Sequence, residues 1–270
     1  MPRDNWVRKM GLDTDGSLFV EIDNGIRLYD LCLETGLPEA VVVRPEDLMR
    51  SENRQLYYSF LKTLNEIAGV MFSPLYDGNY NFKGGDVVID AGARVGVFAA
   101  KISAAVGPEG RVIAVEPEPR NYSLLRKNTE ANRLHNVITV PKMLWSGPRF
   151  LDLYLSDNAA AHSAYFDDFY GSTGESIRVE AASLDDILLG LDIRAVDFIK
   201  VDIEGSEIEA LKGMERTLKS DVRLAIAAYH PVEGKLSHTV IIPQLELLGF
   251  KTTYLDGVVH ARRGRTDGNV

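Results

Sequence analysis

The chain has one cysteine, Cys32, among its 270 residues. Without a second cysteine there is no intrachain disulfide and no cysteine-based metal cluster, so packing must supply the stability, and a reducing compartment suits the chain. Positive charge is also in deficit. Lys and Arg number 30 against 39 Asp and Glu, a formal net charge of -9. Affinity for nucleic acid comes largely from cations that neutralise phosphates, so DNA and bulk RNA are not expected partners. No stretch approaches the roughly 18 apolar residues that would suggest a membrane span, and Met1-Pro2-Arg3-Asp4-Asn5-Trp6 has no apolar signal core. The expectation is a cytoplasmic protein. What remains is ordinary, with 45% hydrophobic and 26% charged residues and no internal repeat. That length and composition suit one generous α/β domain with a modest extension.

Periodicity divides the chain in two. The short alternating runs Leu18 to Ile22 and Gly25 to Tyr29 read as strands of a small antiparallel element. After Pro45, the spacing of Tyr57, Leu61, Leu64 and Ala68 predicts one buried face of a helix. Turn-forming residues then dominate from Asp77 to Gly85, which places a boundary between an extension over residues 1–82 and a main domain over residues 83–270. Asp86 to Asp90 reads as a strand buried on both faces, followed by a helix with Phe98, Ile102 and Ala105 on one side. Arg111 to Glu116 is a second strand, a polar helix runs from about Glu118 to Asn132, and Asn136 to Val140 is a third strand. This order predicts a doubly wound, mostly parallel sheet. Leu151 to Leu155 and Ile177 to Val179 form a hairpin insertion. The alternation then resumes with a strand over Val196 to Val201, a helix bearing Leu211, Met214 and Leu218, a strand over Val222 to Ala228, a helix marked by Ile241, Leu245 and Leu248, and two closing strands.

Open parallel sheets bind ligands beyond the carboxyl ends of their strands, where the strand order reverses. The first such turn reads Asp90-Ala91-Gly92-Ala93-Arg94-Val95-Gly96. Arg94 stands where a dinucleotide fingerprint needs its second glycine, which argues against a pyrophosphate ligand and a nucleotide-dependent oxidoreductase. An acid at the strand end, Asp90, suits a ligand with a cationic ammonium and sulfonium instead. Glu116 ends the second strand, where an acid can accept hydrogen bonds from two ribose hydroxyls.

Asp90 to Ala93 with Gly96 and Phe98, then Glu116 to Tyr122 with Leu125, Asn128 and Asn132, resemble the FkbM family of methyltransferases. A longer block, Ser183-Leu184-Asp185-Asp186 followed by Asp197 to Glu207, Leu211 and Gly213, is similar to that family's third signature. The resemblance runs from about Gly84 to Leu255. It implies a Rossmann-like class I methyltransferase fold, S-adenosylmethionine as cofactor, and a hydroxylated small-molecule acceptor such as a sugar, glycolipid or polyketide. By the same resemblance Asp90, Gly92, Ala93, Gly96, Glu116 and Asp202 line the cofactor pocket, with Trp145 and Ser146 near the adenine. The family usually has Asn where this chain has Arg94, so Arg94 is expected to face solvent, pair with an acid such as Glu116, or weaken cofactor binding. A module that keeps the fold without catalysis is the other reading that Arg94 leaves open.

Methyl transfer to a hydroxyl needs alignment and a base. Asp202, after the fourth strand, and His230, after the fifth, are the candidates, with His162 in the insertion as a further one. Ser206 to Glu209 also has the pattern of a helix-capping box. Asp202 and Glu204 are carboxylates of the kind that hold Mg²⁺, but two carboxylates do not make a site, and no metal ligand set is expected.

Overall fold

The computed structural model describes residues 6–15, 17–30, 42–43, 54–156, 162–165, 172–232 and 234–263. A seven-stranded sheet forms the centre. In chain order its strands are β5 (Val87–Ala91), β6 (Arg111–Val115), β7 (Val137–Val140), β11 (Phe198–Val201), β12 (Arg223–Ala227), β15 (Phe250–Leu255) and β16 (Val258–Arg263). Their spatial order is β15-β16-β12-β11-β5-β6-β7. All neighbours from β12 to β7 pair in parallel, whereas β16 runs antiparallel to both β12 and β15. The chain lays down β5, β6 and β7 on one side, then returns to place β11 and β12 on the other, so the order reverses at β5. Parallel strands covered on both faces must be apolar throughout, and Ile89, Val112, Ile113, Ala114, Ile199, Leu224, Ala225 and Ile226 are all buried.

Helix α2 (Val97–Val106) follows β5, and α3 (Pro119–Ala131) follows β6. Pro119 opens α3 at a position where its missing N–H costs nothing, and the side chain of Glu118 caps the helix by accepting from the Asn121 N–H at 2.7 Å. In α2, Phe98 and Ile102 are buried as the periodicity predicts, but Ala105 is exposed and Val106 takes its inward place. Strands β9 (Arg149–Ser156) and β10 (Ser172–Ala182) pair antiparallel as the expected insertion, β10 also pairs with the short β8 (Met143–Leu144), and the short β13 (Pro231–Val232) and β14 (Lys235–Leu236) pair antiparallel after β12.

The amino-terminal segment forms its own antiparallel sheet, with β1 (Val7–Leu12), β2 (Leu18–Ile22), β3 (Arg27–Asp30) and β4 (Val42–Val43) in the order β3-β2-β1-β4. Strand β1 was not legible in the sequence. Its core is continuous with that of the main sheet's helices, since Met10, Leu18, Val20, Leu28 and Phe60 form one apolar cluster with Val95, Val97, Ala100 and Leu124. Three other expectations need correction. Helix α1 (Arg54–Met71) buries Phe60, Thr63 and Ile67, while the expected Leu61 is 43% exposed, so its inward face is rotated by about one residue. Pro45 lies outside the described residues. A further helix, α4 (Leu184–Gly190), precedes β11, and the helix expected to carry Leu211, Met214 and Leu218 is split: α5 (Glu207–Lys212) stops at the capping Gly213, and Leu218 sits in a separate 3₁₀ turn. In α6 (His238–Leu247) Ile241 and Leu245 are buried, but Leu248 lies past the helix end and is exposed. No helix among the described residues is long and apolar enough to cross a membrane.

Two asparagines of α3, one turn apart, join these layers. The Asn128 side chain accepts from the Tyr29 N–H at 2.6 Å and donates to the Tyr29 and Val95 carbonyls at 2.9 and 2.6 Å. Asn132 repeats the device two strand residues away, accepting from Arg27 N–H at 2.7 Å and donating to its carbonyl at 2.6 Å. Alternate residues of a strand face the same way, so the amides of a helix at i and i+4 stand in for a missing neighbour strand at the edge of β3. Asn128 is buried, so its replacement by Ala leaves three main-chain groups without partners. Asn128→Ala is expected to cost about 2 kcal/mol or more, read as a fall in thermal midpoint, and the half-buried Asn132→Ala less. Equal and negligible losses would contradict the strand-surrogate role.

Candidate active site

The site begins with a buried ion pair between adjacent strands. Lys200 of β11 lies opposite Asp90 of β5, and its Nζ is 2.9 Å from Asp90 Oδ1. Both are buried, and Nζ also donates to the carbonyls of Gly92 at 3.1 Å and Ala91 at 3.4 Å. Burial opposes the charge on Lys200, but Asp90 and Asp202 outweigh it and hold the ammonium's pKa above its usual value. The charged lysine in an otherwise apolar strand is thereby explained.

The turn after β5 is pressed against the turn after β11. Gly92 has a left-handed φ of 74°, and a Cβ there would fall 1.8 Å from the Asp202 carbonyl oxygen. At Gly96, with φ 85°, a Cβ would fall 2.5 Å from Leu125 Cδ1, so this glycine sets the contact of α2 with α3. Between these turns and those after β6 and β7 opens a pocket of about 540 Å³, its mouth to solvent included. Gly92, Glu116, Asn121, Met143, Leu144 and Asp202 are among its walls, together with Leu153 and His162 from the insertion.

Glu116 is built into the wall. Its Oε2 accepts from the Arg94 N–H at 2.9 Å and its Oε1 from the Glu118 N–H at 3.0 Å, which fixes both oxygens at the pocket surface. Burial raises its pKa to about 7 despite these hydrogen bonds. Arg94 is itself among the pocket's lining residues, but its guanidinium does not pair with Glu116. It turns toward the amino-terminal segment, 3.2 Å from Asp30 of β3 and 2.5 Å from Glu66 of α1. The positive charge is thus neutralised away from the ligand side, while the Arg94 backbone, at φ 50°, still serves Glu116.

At the other end, Asp202 and Glu204 line the pocket. Tyr76, from the segment before β5, donates its hydroxyl to Asp202 Oδ2 at 2.9 Å. Burial, with Asp202 adding to it, raises the Tyr76 pKa, so the hydroxyl remains a donor. Burial also raises the pKa of Glu204, against the opposing pull of His230. His230 is buried between two carboxylates, with Nε2 3.2 Å from Glu204 and Nδ1 3.0 Å from Glu207. It does not line the pocket directly. The capping box expected at Ser206 does not form: the Ser206 side chain makes no cap hydrogen bond, and Glu209 pairs with Lys212. Glu207 folds back instead, accepting from the N–H groups of Ile203 and Gly205 at 3.2 Å each.

Of the sequence-predicted residues, Gly92, Glu116 and Asp202 meet around the pocket. Asp90 lies beneath it with Lys200, and Ala93 and Gly96 shape the turn without lining it. Trp145 and Ser146 turn elsewhere, the Trp145 ring tilted against that of Tyr165 with centroids 6.2 Å apart and Ser146 bonding to Glu209. The pocket takes Lys142, Met143 and Leu144 from that segment. His162, a lesser candidate, is in the wall. Its Nδ1 accepts from the Ser156 N–H at 3.0 Å, and burial lowers its pKa. Tyr76 was missed, since nothing in its local sequence marks it as a partner of a residue 126 positions away.

The turn after β5 is therefore held from outside by the amino-terminal segment. A double-mutant cycle with Arg94→Met and Asp30→Asn is expected to give a coupling of at least about 1 kcal/mol in denaturant unfolding. Additive losses would mean that the contact does not tie the two layers.

The FkbM methyltransferase domain matches residues 90–252 of the chain. The chain is 26% identical over 184 residues to the 31-O-demethyl-FK506 methyltransferase FkbM of Streptomyces tacrolimicus, covering 58% of this chain and 70% of that protein. It is 29% identical over 147 residues to the hexuronic acid methyltransferase AglP of Haloferax volcanii, covering 54% of this chain and 56% of that one. The crystal structure of methyltransferase FkbM from Methylobacillus flagellatus KT superposes with a TM-score of 0.50 at 20% identity, over 72% of this chain and 47% of that chain. This chain spans about half the length of that solved structure, and the likeness supports the class I methyltransferase fold alone. The domain match extends from the end of β5 into β15, and the chain belongs to the FkbM methyltransferase family.

Proposed function

We propose that the chain transfers the methyl group of S-adenosylmethionine to an oxygen of a hydroxylated small molecule, of the sugar, glycolipid or polyketide kind. The observation that carries the donor half is Glu116. Its two oxygens, each held by a backbone N–H, keep lone pairs for the two hydroxyls of a ribose. Asp90 and Lys200 support the turn on which the methionine part of the donor would rest, and Met143 and Leu144 offer apolar surface to the adenine.

The acceptor half rests on chemistry and on relatives. One is named for a 31-O-demethyl compound and another for a hexuronic acid, both consistent with oxygen as the acceptor atom. In such a transfer the donor is already activated, so the protein mainly aligns the two reactants and assists loss of the hydroxyl proton. Asp202, anchored by Tyr76, is the group to which we assign orientation and polarisation of the acceptor hydroxyl. His230 has a carboxylate at each ring nitrogen, so we assign it the positioning of Glu204 rather than the part of a base.

The donor assignment has a pH signature. Glu116 accepts two hydroxyls best when ionised, and burial places its pKa at about 7. Affinity for S-adenosylmethionine should be level above pH 7 and weaken below it, by up to about tenfold per pH unit. Glu116→Gln should bind more weakly and lose this dependence in calorimetry. A wild-type-like affinity for that variant would remove the ribose assignment.

For turnover, Asp202→Asn keeps the size and loses the charge. It should lower the transfer rate at saturating donor by roughly 10²-fold, with folding checked by thermal melting. An unchanged rate with a folded variant would remove Asp202 from the reaction.

A further inference from the structure

Asp202 and Glu204 alone made no metal site. The fold adds a third donor, because β12 lies beside β11 and delivers His230 to the same place. We propose that Asp202, Glu204 and His230 bind one divalent cation of the Mn²⁺ type at the acceptor end of the pocket.

The ligand atoms of the three residues all lie within 4.8 Å of one another. Donors around an ion with bonds near 2.1 Å lie about 3 Å apart when adjacent and about 4.2 Å apart when opposite, and His230 Nε2 and Glu204 Oε2 already stand 3.2 Å apart, so small side-chain movements close the cluster. Each donor is oriented by a further group. Glu207 Oε1 stands 3.0 Å from His230 Nδ1, which directs Nε2 toward Glu204, and Glu207 is itself fixed by two main-chain N–H groups. A histidine held through one nitrogen by a carboxylate while the other faces the cluster is the usual support of a metal-binding imidazole. Tyr76 holds Asp202 Oδ2, whereas Asp202 Oδ1 is buried and has no hydrogen-bond partner among the described residues. Glu204, at φ 52°, keeps a left-handed backbone that a non-glycine residue rarely adopts and that brings its carboxylate to His230.

One imidazole nitrogen with two carboxylate oxygens favours Mn²⁺ and its first-row neighbours over Ca²⁺, with Mg²⁺ a weaker competitor. Asp202 and Glu204 both face the pocket, which leaves open coordination positions on the ligand side. The role of the ion, unlike its binding, rests on the methyl-transfer reading. It would hold the acceptor hydroxyl and lower its pKa, with Asp202 serving as its ligand. The hydroxyl proton leaves to solvent, the oxygen–carbon bond forms as the sulfur–carbon bond of the sulfonium breaks, and the donor departs as a neutral thioether.

The test uses the full chain, stripped with EDTA and titrated with Mn²⁺ alone. Calorimetry should give one saturable site per chain, and spin-echo spectroscopy of the bound Mn²⁺ should report nitrogen coupling from one histidine. Asp202→Asn and Glu204→Gln should each weaken binding at least tenfold. Glu207→Gln, which takes the carboxylate from the imidazole while its amide oxygen can still accept from the Ile203 and Gly205 N–H groups, should weaken it about 10- to 100-fold. Absence of saturable binding, absence of nitrogen coupling in the wild-type protein, or unchanged affinity in Asp202→Asn and Glu204→Gln would each overturn the site. The nitrogen signal needs no variant to fold. Binding of S-adenosylmethionine to the stripped protein is measured separately: Mn²⁺ binding without donor binding would leave the metal site and remove the methyl-transfer reading, and the converse would do the opposite.

Discussion

The buried Lys200–Asp90 pair sets the geometry on which the site depends. It bridges β11 and β5, the strands at which the sheet reverses direction of growth, and its ammonium also binds the carbonyls of Ala91 and Gly92. An unpaired charge in this position would cost several kcal/mol, so neither residue can be lost without the other. With the turn after β5 tied to β11, the Asp202 carbonyl comes so close to Gly92 that no side chain fits between them. The pocket is the space these two turns leave on their outer side.

A second layer of constraint comes from a segment that looked like an appendage. The amino-terminal sheet shares its core with α2 and α3, its edge strand is completed by Asn128 and Asn132, and its acids hold Arg94. Tyr76 reaches Asp202 from the connection that follows α1. In energetic terms the boundary near residue 82 is therefore weaker than composition suggests. The pocket's acids are oriented partly by residues on the other side of it. This also accounts for a cation in the turn after β5: its backbone serves Glu116, and its charge is spent on Asp30 and Glu66.

Several readings failed where a local pattern had two solutions. The apolar residues of α1 fit two neighbouring helical faces, and the docking of Phe60 and Ile67 on the amino-terminal sheet chose the one that leaves Leu61 outside. Ser206 and Glu209 have the spacing of a capping box, but the Ser206 N–H bonds to the Ile203 carbonyl and the Glu209 carboxylate pairs with Lys212, so the box does not form. Trp145 was the conspicuous aromatic after β7, yet the pocket uses the less conspicuous Met143 and Leu144, because Tyr165 of the insertion gives the indole a partner elsewhere.

By itself the sequence determined the parallel sheet, the position of the reversing turn, and the placement of Asp90, Glu116 and Asp202 at strand ends. These follow from short-range periodicity and from the rule that ligands meet open sheets at the carboxyl ends of their strands. Only the tertiary structure decided which charges meet. Lys200 with Asp90, Arg94 with Asp30, Tyr76 with Asp202, and His230 with Glu204 and Glu207 are pairs brought together by strand order and layer packing. Burial raises the pKa of Tyr76 and of Glu204, whereas the carboxylates around Lys200 raise its pKa against burial. Electrostatic energy depends on separation in space and on exclusion of water, and neither is encoded at any one position of the chain.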